Sequence, residues 1–216
     1  MSSQHHIPKC TVKHIPLKRI FDIIFSFAAL ILGLPLFLLA ALCIRFSSKG
    51  PIFYSHERIG RGGRSFRCYK FRTMYENADD RLKELLASDK LLKKEWDESR
   101  KLKNDPRILP IGRFLRKTSL DELPQFWNVV KGDLSIVGPR PLVACEVVGY
   151  LGEKASKILS IRPGLTCIWQ VSGRNDLSYH TRIQLDEEYV DNLSFLLDLK
   201  LILRTIPSMV SSKGAY

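Results

Sequence analysis

Residues 23–44 form an uncharged apolar run of about 22 positions, enough for roughly 33 Å of helix against a hydrocarbon core of roughly 30 Å. Gly33 and Pro35 interrupt it near its middle, where proline removes a helical hydrogen bond and favours a kink. A break there leaves two arms of about 11 residues, each reaching only about the bilayer midplane. Both flanks are basic: Lys9, Lys13, Lys18 and Arg19 precede the run, and Arg45, Lys49 and Arg58 follow it. Such symmetry gives no orientation under the positive-inside rule, as expected when both ends stay cytoplasmic. The pattern favours a re-entrant helix hairpin, with a kinked single span as the alternative. No small-residue cleavage site follows, which argues against a signal peptide.

Downstream the periods shorten. Apolar-rich stretches on either side of Gly60-Arg61-Gly62-Gly63 predict a β-hairpin over 51–72. Residues 77–103 predict one long charged helix with a stripe of Leu82, Leu85, Leu86, Leu92 and Trp96, ended by Asn104-Asp105-Pro106-Arg107. Residues 111–115 lead through Arg113, Arg116 and Lys117 into the tract Thr118-Ser119-Leu120-Asp121-Glu122-Leu123-Pro124-Gln125. Ser119 and Glu122 fit a capping box and Pro124 an early helical position, so a helix is expected over 121–130, ending at Gly132. A short buried strand is expected at 134–137, a second strand at 165–171, a polar loop at 172–176, and two helices after 179. The last helix, 193–210, carries an apolar stripe that suits either a core or a bilayer interface. This predicts a mixed α/β, helix-rich chain: a basic segment 1–17, a membrane element 18–48 and one globular domain 49–216.

Charge narrows the classes. Lys and Arg total 34 against 22 Asp and Glu, a net charge of +12, which suits nucleic acid, an anionic membrane surface or a phosphorylated substrate. With no nucleic-acid module in the chain and an apolar run present, the last two readings lead and no nucleic acid is expected. The five cysteines are widely spaced with no CxxC, as in a reduced compartment with unpaired thiols. The five histidines show no metal-ligand spacing.

The candidate chemistry lies in Asp121 and Glu122. Acids beside a helix start are stabilised by about 0.3–1 kcal/mol each, so a well-capped helix is the plain explanation. The alternative is phosphoryl transfer, with aspartate attacking phosphorus and a neighbouring carboxylate holding Mg²⁺. Lys70 and Arg72 sit among aromatics in the hairpin, and Pro139-Arg140-Pro141 presents one guanidinium on a rigid turn suited to bidentate phosphate recognition. Motifs of rival chemistries, GxxxxGK[ST], HExxH and GxSxG, are absent. A non-catalytic basic scaffold and a membrane phosphohydrolase using the same aspartate are the competing readings.

These motifs, in this order, carry a resemblance. Lys18-Arg19-Ile20-Phe21-Asp22, Lys49-Gly50-Pro51, Tyr69-Lys70-Phe71-Arg72-Thr73-Met74, Asn104-Asp105-Pro106-Arg107, the Asp121 tract and Gly132-Asp133 begin the series. Val137-Gly138-Pro139-Arg140-Pro141, Arg162-Pro163-Gly164 and Trp169-Gln170-Val171-Ser172-Gly173-Arg174 complete it. Over about residues 18–214 the chain resembles the bacterial sugar transferases, or monotopic phosphoglycosyl transferases. The resemblance implies a re-entrant membrane helix and a cytoplasmic catalytic face at the inner membrane of a bacterium. It implies transfer of a sugar-1-phosphate from a UDP-sugar to polyprenyl phosphate, with Mg²⁺, at the first membrane step of a surface glycan or exopolysaccharide. Asp121 would be the nucleophile, Glu122 a metal ligand or proton acceptor, and Asp121 a second metal contact. Arg140, Lys70, Arg72, Arg107, Gln125 and Arg174 would contact phosphate or substrate. A homodimer is compatible with it. Many relatives carry Ser-Pro at the helix break, whereas this chain has Leu34-Pro35, so Gly33 is expected to supply the bend. Asn104-Asp105-Pro106-Arg107 and the ending Ser212-Lys213-Gly214-Ala215-Tyr216 look most like the branch that transfers galactose-1-phosphate.

Overall fold

The structure, a computed structural model, describes residues 15–99, 102–172 and 177–210, apart from the side chains of 98–99 and 208–210. It is helix-rich with two small sheets, as the sequence pattern predicts. Helices α1 (Pro16–Leu32) and α2 (Leu34–Ser47) are bent by 61° at Gly33. Gly33 stays in the right-handed helical region (φ −82°), and a Cβ on it would come within 2.7 Å of the Ala29 carbonyl oxygen. Glycine therefore allows the close approach that the bend requires, and Pro35 adds a missing N–H just beyond it. No single helix among the described residues is long and apolar enough to cross a membrane; α1 and α2 reach that length together.

The polarity of α1 is inverted relative to a soluble helix. Lys18, Asp22 and Ser26 face the protein and are buried, while Leu17, Ile20, Ile24, Phe27 and Ile31 are exposed. Lys18 and Asp22 are matched, whereas Ser26 Oγ has no hydrogen-bond partner among the described residues. Lys18 Nζ donates to Asp198 Oδ2 (2.6 Å), and Asp22 Oδ1 accepts from Ser135 Oγ (3.1 Å) and the Ile136 N–H (3.0 Å).

Strands β1 (Phe53–Ile59) and β2 (Ser65–Phe71) pair antiparallel from Phe53↔Phe71 to Ile59↔Ser65, around a tight turn at Arg61–Gly63. Phe37 of α2 meets Phe71 (ring centroids 4.7 Å) and Phe53 (5.7 Å), which fixes the open end of the hairpin on α2. The long helix expected over 77–103 is two helices, α3 (Ala78–Ser88) and α4 (Lys90–Ser99). Asp89 breaks it because its Oδ1 accepts from the N–H groups of Leu91 (2.8 Å) and Leu92 (3.1 Å), capping a new helix start.

Helices α5 (Pro110–Lys117) and α6 (Gln125–Lys131) flank the Asp121 tract, and β3 (Ser135–Val137) follows α6. Short turns at Ala144–Glu146, Val147–Leu151 and Gly152–Lys154 lead through α7 (Ala155–Ile158) to β4 (Gly164–Thr166), which pairs parallel with β3. The strand expected over 165–171 stops at Thr166, and Ile168–Ser172 forms a short helix, α8. An apolar run this short satisfies either period, and burial of Trp169 against the adjoining helices decides it. Helices α9 (Tyr179–Asp191) and α10 (Phe195–Val210) complete the chain. Tyr189 and Leu201 from this pair join Val129, Leu134, Ile136, Val137 and Ile161 in the main core. The half-buried Phe25 of α1 packs against the same cluster. Leu196, Leu203 and Ile206 of α10 remain exposed.

Candidate active site

The acidic tract is a turn, not a helix start. Ser119 adopts a left-handed conformation (φ 57°) and its side chain caps nothing, so the expected capping box is not made. It serves instead to end α5, one residue past Thr118, whose Oγ1 donates to the Phe114 carbonyl (2.8 Å). Leu120–Glu122 then form one 3₁₀ turn, and α6 begins only at Gln125. Asp121 and Glu122 therefore precede the helix rather than occupying its first turn.

Asp121 is buried and Glu122 half-buried. Lys70, on β2, donates to Glu122 Oε1 at 2.6 Å. Burial first, then the charge of Glu122, push the Asp121 carboxyl up to about 6, against the pull of Lys70 and Arg116. Burial works against the charge on Lys70, but Glu122 and Asp121 raise its pKa above the ordinary lysine value. The result is an aspartate that is ionised near neutral pH yet poorly solvated, a sound state for a nucleophile.

Two elements hold this geometry. Asn128 of α6 is fully buried; its Oδ1 accepts from the Tyr69 N–H (3.0 Å) and its Nδ2 donates to the Arg67 carbonyl (2.7 Å) and Asp133 (3.0 Å). The bonds to Tyr69 and Arg67 tie β2, and hence Lys70, to α6. From the other side Arg116, in the last turn of α5, donates from Nε to Thr73 Oγ1 (2.8 Å) and stands among the charges acting on Asp121. The sequence reading gave Arg116 no role, although a basic residue closing the helix just before the pair was a usable signal.

The remaining candidates are placed differently. Gln125 is buried at the start of α6, beside the pair in sequence. Arg72 is buried and spends its guanidinium on the loop after α2, donating to the Lys49 carbonyl (2.6 Å), the Ser48 carbonyl (3.0 Å) and Ser48 Oγ (3.1 Å). Arg107 is buried in a two-pronged contact with Asp105 (2.8 and 2.6 Å) and lies over the Trp96 ring. Arg140 is exposed, with its guanidinium 5.4 Å from the centroid of the Trp169 ring, and it is not among the charges that shift Asp121. Its backbone is bonded to Asp186, a buried carboxyl that burial raises to about 8. Arg174 lies outside the described residues. Cys43, Cys68, Cys145 and Cys167 are unpaired, and burial pushes the Cys68 thiol up to about 11, which makes it inert. Cys10 lies outside the described residues.

No group of three or more His, Cys, Asp or Glu side chains capable of holding a metal exists among the described residues. Magnesium, however, is commonly held by one or two carboxylates, completed by water and substrate phosphates. The adjacent carboxylates of Asp121 and Glu122 fit that mode.

A family model described as bacterial sugar transferase matches residues 13–212, almost the whole chain. The chain belongs to this family. It is therefore a sugar transferase. It is 50% identical over 199 residues to the exopolysaccharide production protein ExoY of Sinorhizobium fredii, covering 92% of this chain and 88% of that protein. ExoY of Rhizobium meliloti is 47% identical over 219 residues, covering 100% of this chain and 96% of the relative. The undecaprenyl-phosphate galactose phosphotransferase of Salmonella typhimurium is 48% identical over 200 residues, which are 93% of this chain but 42% of that longer protein.

Proposed function

We propose that this sugar transferase moves a sugar-1-phosphate from a UDP-sugar to polyprenyl phosphate through a covalent intermediate on Asp121. The observation that carries the reading is the buried, raised carboxyl of Asp121 beside Glu122, with Lys70 and Arg116 as the cations that favour its ionised form. The name of the Salmonella relative supports an undecaprenyl phosphate acceptor and galactose as the sugar.

An Asp121 carboxylate oxygen attacks the phosphorus that bears the sugar. The bond to the bridging oxygen breaks, and UMP leaves with the electron pair. An oxygen of polyprenyl phosphate then attacks the same phosphorus, the acyl-phosphate bond breaks, and the Asp121 carboxylate is regenerated with a polyprenyl diphosphate sugar as product. Mg²⁺, held by Glu122 and Asp121, would neutralise charge on the phosphate oxygens when bound. Lys70 keeps Glu122 oriented, while Arg116 and Lys70 favour the ionised form of Asp121. Exposed Arg140, on its proline-flanked turn, would anchor the donor through phosphate.

The exposed apolar faces of α1, α2 and α10 support a monotopic arrangement at the cytoplasmic membrane. In it the bent pair within residues 18–48 enters one leaflet, and residues 49–216 form the cytoplasmic catalytic domain. Incubating the detergent-purified protein with Mg²⁺ and UDP-galactose, without acceptor, should release UMP stoichiometric with enzyme. Undecaprenyl phosphate should then give turnover and lipid-linked sugar. Turnover that persists in Asp121→Asn, or UMP formed only with hydrolysed sugar phosphate, would rule this mechanism out.

A further inference from the structure

Away from the carboxylate pair, Arg19 and Arg162 meet at the end of α6, and Arg61, on the hairpin turn, is close enough for its charge to act on Arg162 and for that of Arg19 to act on it. Arg19 donates from Nη1 to the Val129 carbonyl (2.5 Å) and from Nη2 to the Val130 carbonyl (2.8 Å). Arg162 donates from Nε to the Gly132 carbonyl (2.8 Å). Gly132, at φ +93°, lies against both, and a Cβ there would come within 3.3 Å of Arg19 Nη2. Arg61 completes the group from the hairpin turn, which is pinned by the Gly62 N–H to the Leu159 carbonyl (2.8 Å). Its Nη1 is sealed from solvent with no hydrogen-bond partner among the described residues.

Among the described residues no ion pair balances this positive charge. The carbonyls that Arg19 and Arg162 cap form the negative end of α6, equivalent to about half an elementary charge. Asp22, the acid that acts on Arg162, already accepts from Ser135 and Ile136. Residues 1–14 cannot supply a carboxylate side chain, because Asp22 is the first acid in the sequence. Burial, followed by the charges of Arg61 and Arg19, accordingly pushes Arg162 down to about 10. Leu17 and Ile20, beside Arg19 in α1, are exposed, so the cluster adjoins an apolar surface.

We propose that Arg19, Arg61 and Arg162 form a second anion site, which takes a phosphate group carried by an anionic phospholipid or free in solution. Guanidinium N–H groups match phosphate oxygens in pairs, and a small rotation of the partly exposed Arg61 side chain would let its unpartnered Nη1 gain an acceptor. The site is independent of the transfer reaction proposed above.

The test is thermal unfolding of the whole protein in neutral-detergent micelles, with phosphatidylglycerol or inorganic phosphate titrated at constant ionic strength. Wild type should be stabilised saturably. Arg61→Gln should bind roughly tenfold more weakly, the loss of one charge-assisted hydrogen bond. Without anion it should be no less stable than wild type, because one of three repelling charges is gone. If Arg61→Gln does not fold, Arg61→Lys decides by the affinity comparison alone, since it keeps the charge and loses the fork. Stabilisation by phosphatidylglycerol alone assigns the lipid, by inorganic phosphate alone free phosphate, and by both the phosphate group itself. The proposal is overturned if neither stabilises, if the folded variant binds as tightly as wild type, or if folded Arg61→Gln is less stable without anion.

Discussion

Replacing Asp121 with asparagine should abolish UMP release and at the same time make the protein more stable. Burial and the charge of Glu122 raise its pKa from 3.8 to about 6, a shift of about two units, and each unit is worth about 1.4 kcal/mol. Ionised Asp121 thus costs the folded state up to about 3 kcal/mol at neutral pH. Asparagine copies the shape of the protonated acid and carries no such cost. For a chain of this size that is a rise in Tm of roughly 5–10 °C. The sign follows from proton counts. Below about pH 4 the aspartate is protonated in both folded and unfolded chains, so wild type and variant should differ little. Between about pH 4 and pH 6 the folded protein holds a proton that the unfolded chain releases, so wild-type stability falls as pH rises. Above that window the full difference persists. Thermal unfolding of both proteins in metal-free neutral detergent, from about pH 4 to pH 8, measures it. A variant no more stable than wild type near neutrality, or a gap that does not close in acid, refutes the view that Asp121 is held in a strained, poorly solvated state.

Three further outcomes are expected. Lys70→Met should lower UMP release and move the acid limb of its pH–rate profile above pH 6, because Lys70 now holds the Asp121 pKa down. Lys18→Met should cost about 3–5 kcal/mol in unfolding experiments by leaving buried Asp198 unpaired, and adding Asp198→Asn should recover most of that. Asn128→Ala should cost about 2–4 kcal/mol, since it orphans the Tyr69 N–H and Arg67 carbonyl where β2 meets α6, and denaturant titration would show it.

The hairpin was legible because a glycine-rich turn between apolar-rich strands admits few alternatives, and the bend was legible from Gly33 and Pro35. What misled was local chemistry with two uses. Ser119 reads as a helix cap, yet its φ of 57° makes it the terminator of the helix before, and a backbone sign is not encoded in a serine. Asp89 lay unnoticed in a charged stretch, although its side chain starts a second helix. Arg72, Arg107 and Arg116 look alike in sequence. Two of them hold loops, and only the third stands beside Asp121, a distinction made by which carbonyls and carboxylates the fold brings near.

The inward polar face of α1 makes this helix a poor independent part. If its apolar side lies in lipid, as proposed above, pulling it away would drag Lys18 and Asp22 into a solvent that cannot satisfy them; released into water, it would strand Leu17, Ile24 and Ile31. In the monotopic arrangement proposed above, insertion and folding would therefore be one event. A generic hydrophobic anchor substituted for α1 could keep the protein on a membrane, but β3 would lose the Asp22 acceptor that fixes Ser135 and Ile136. On that proposal, attachment and catalytic alignment would be inherited from the same helix.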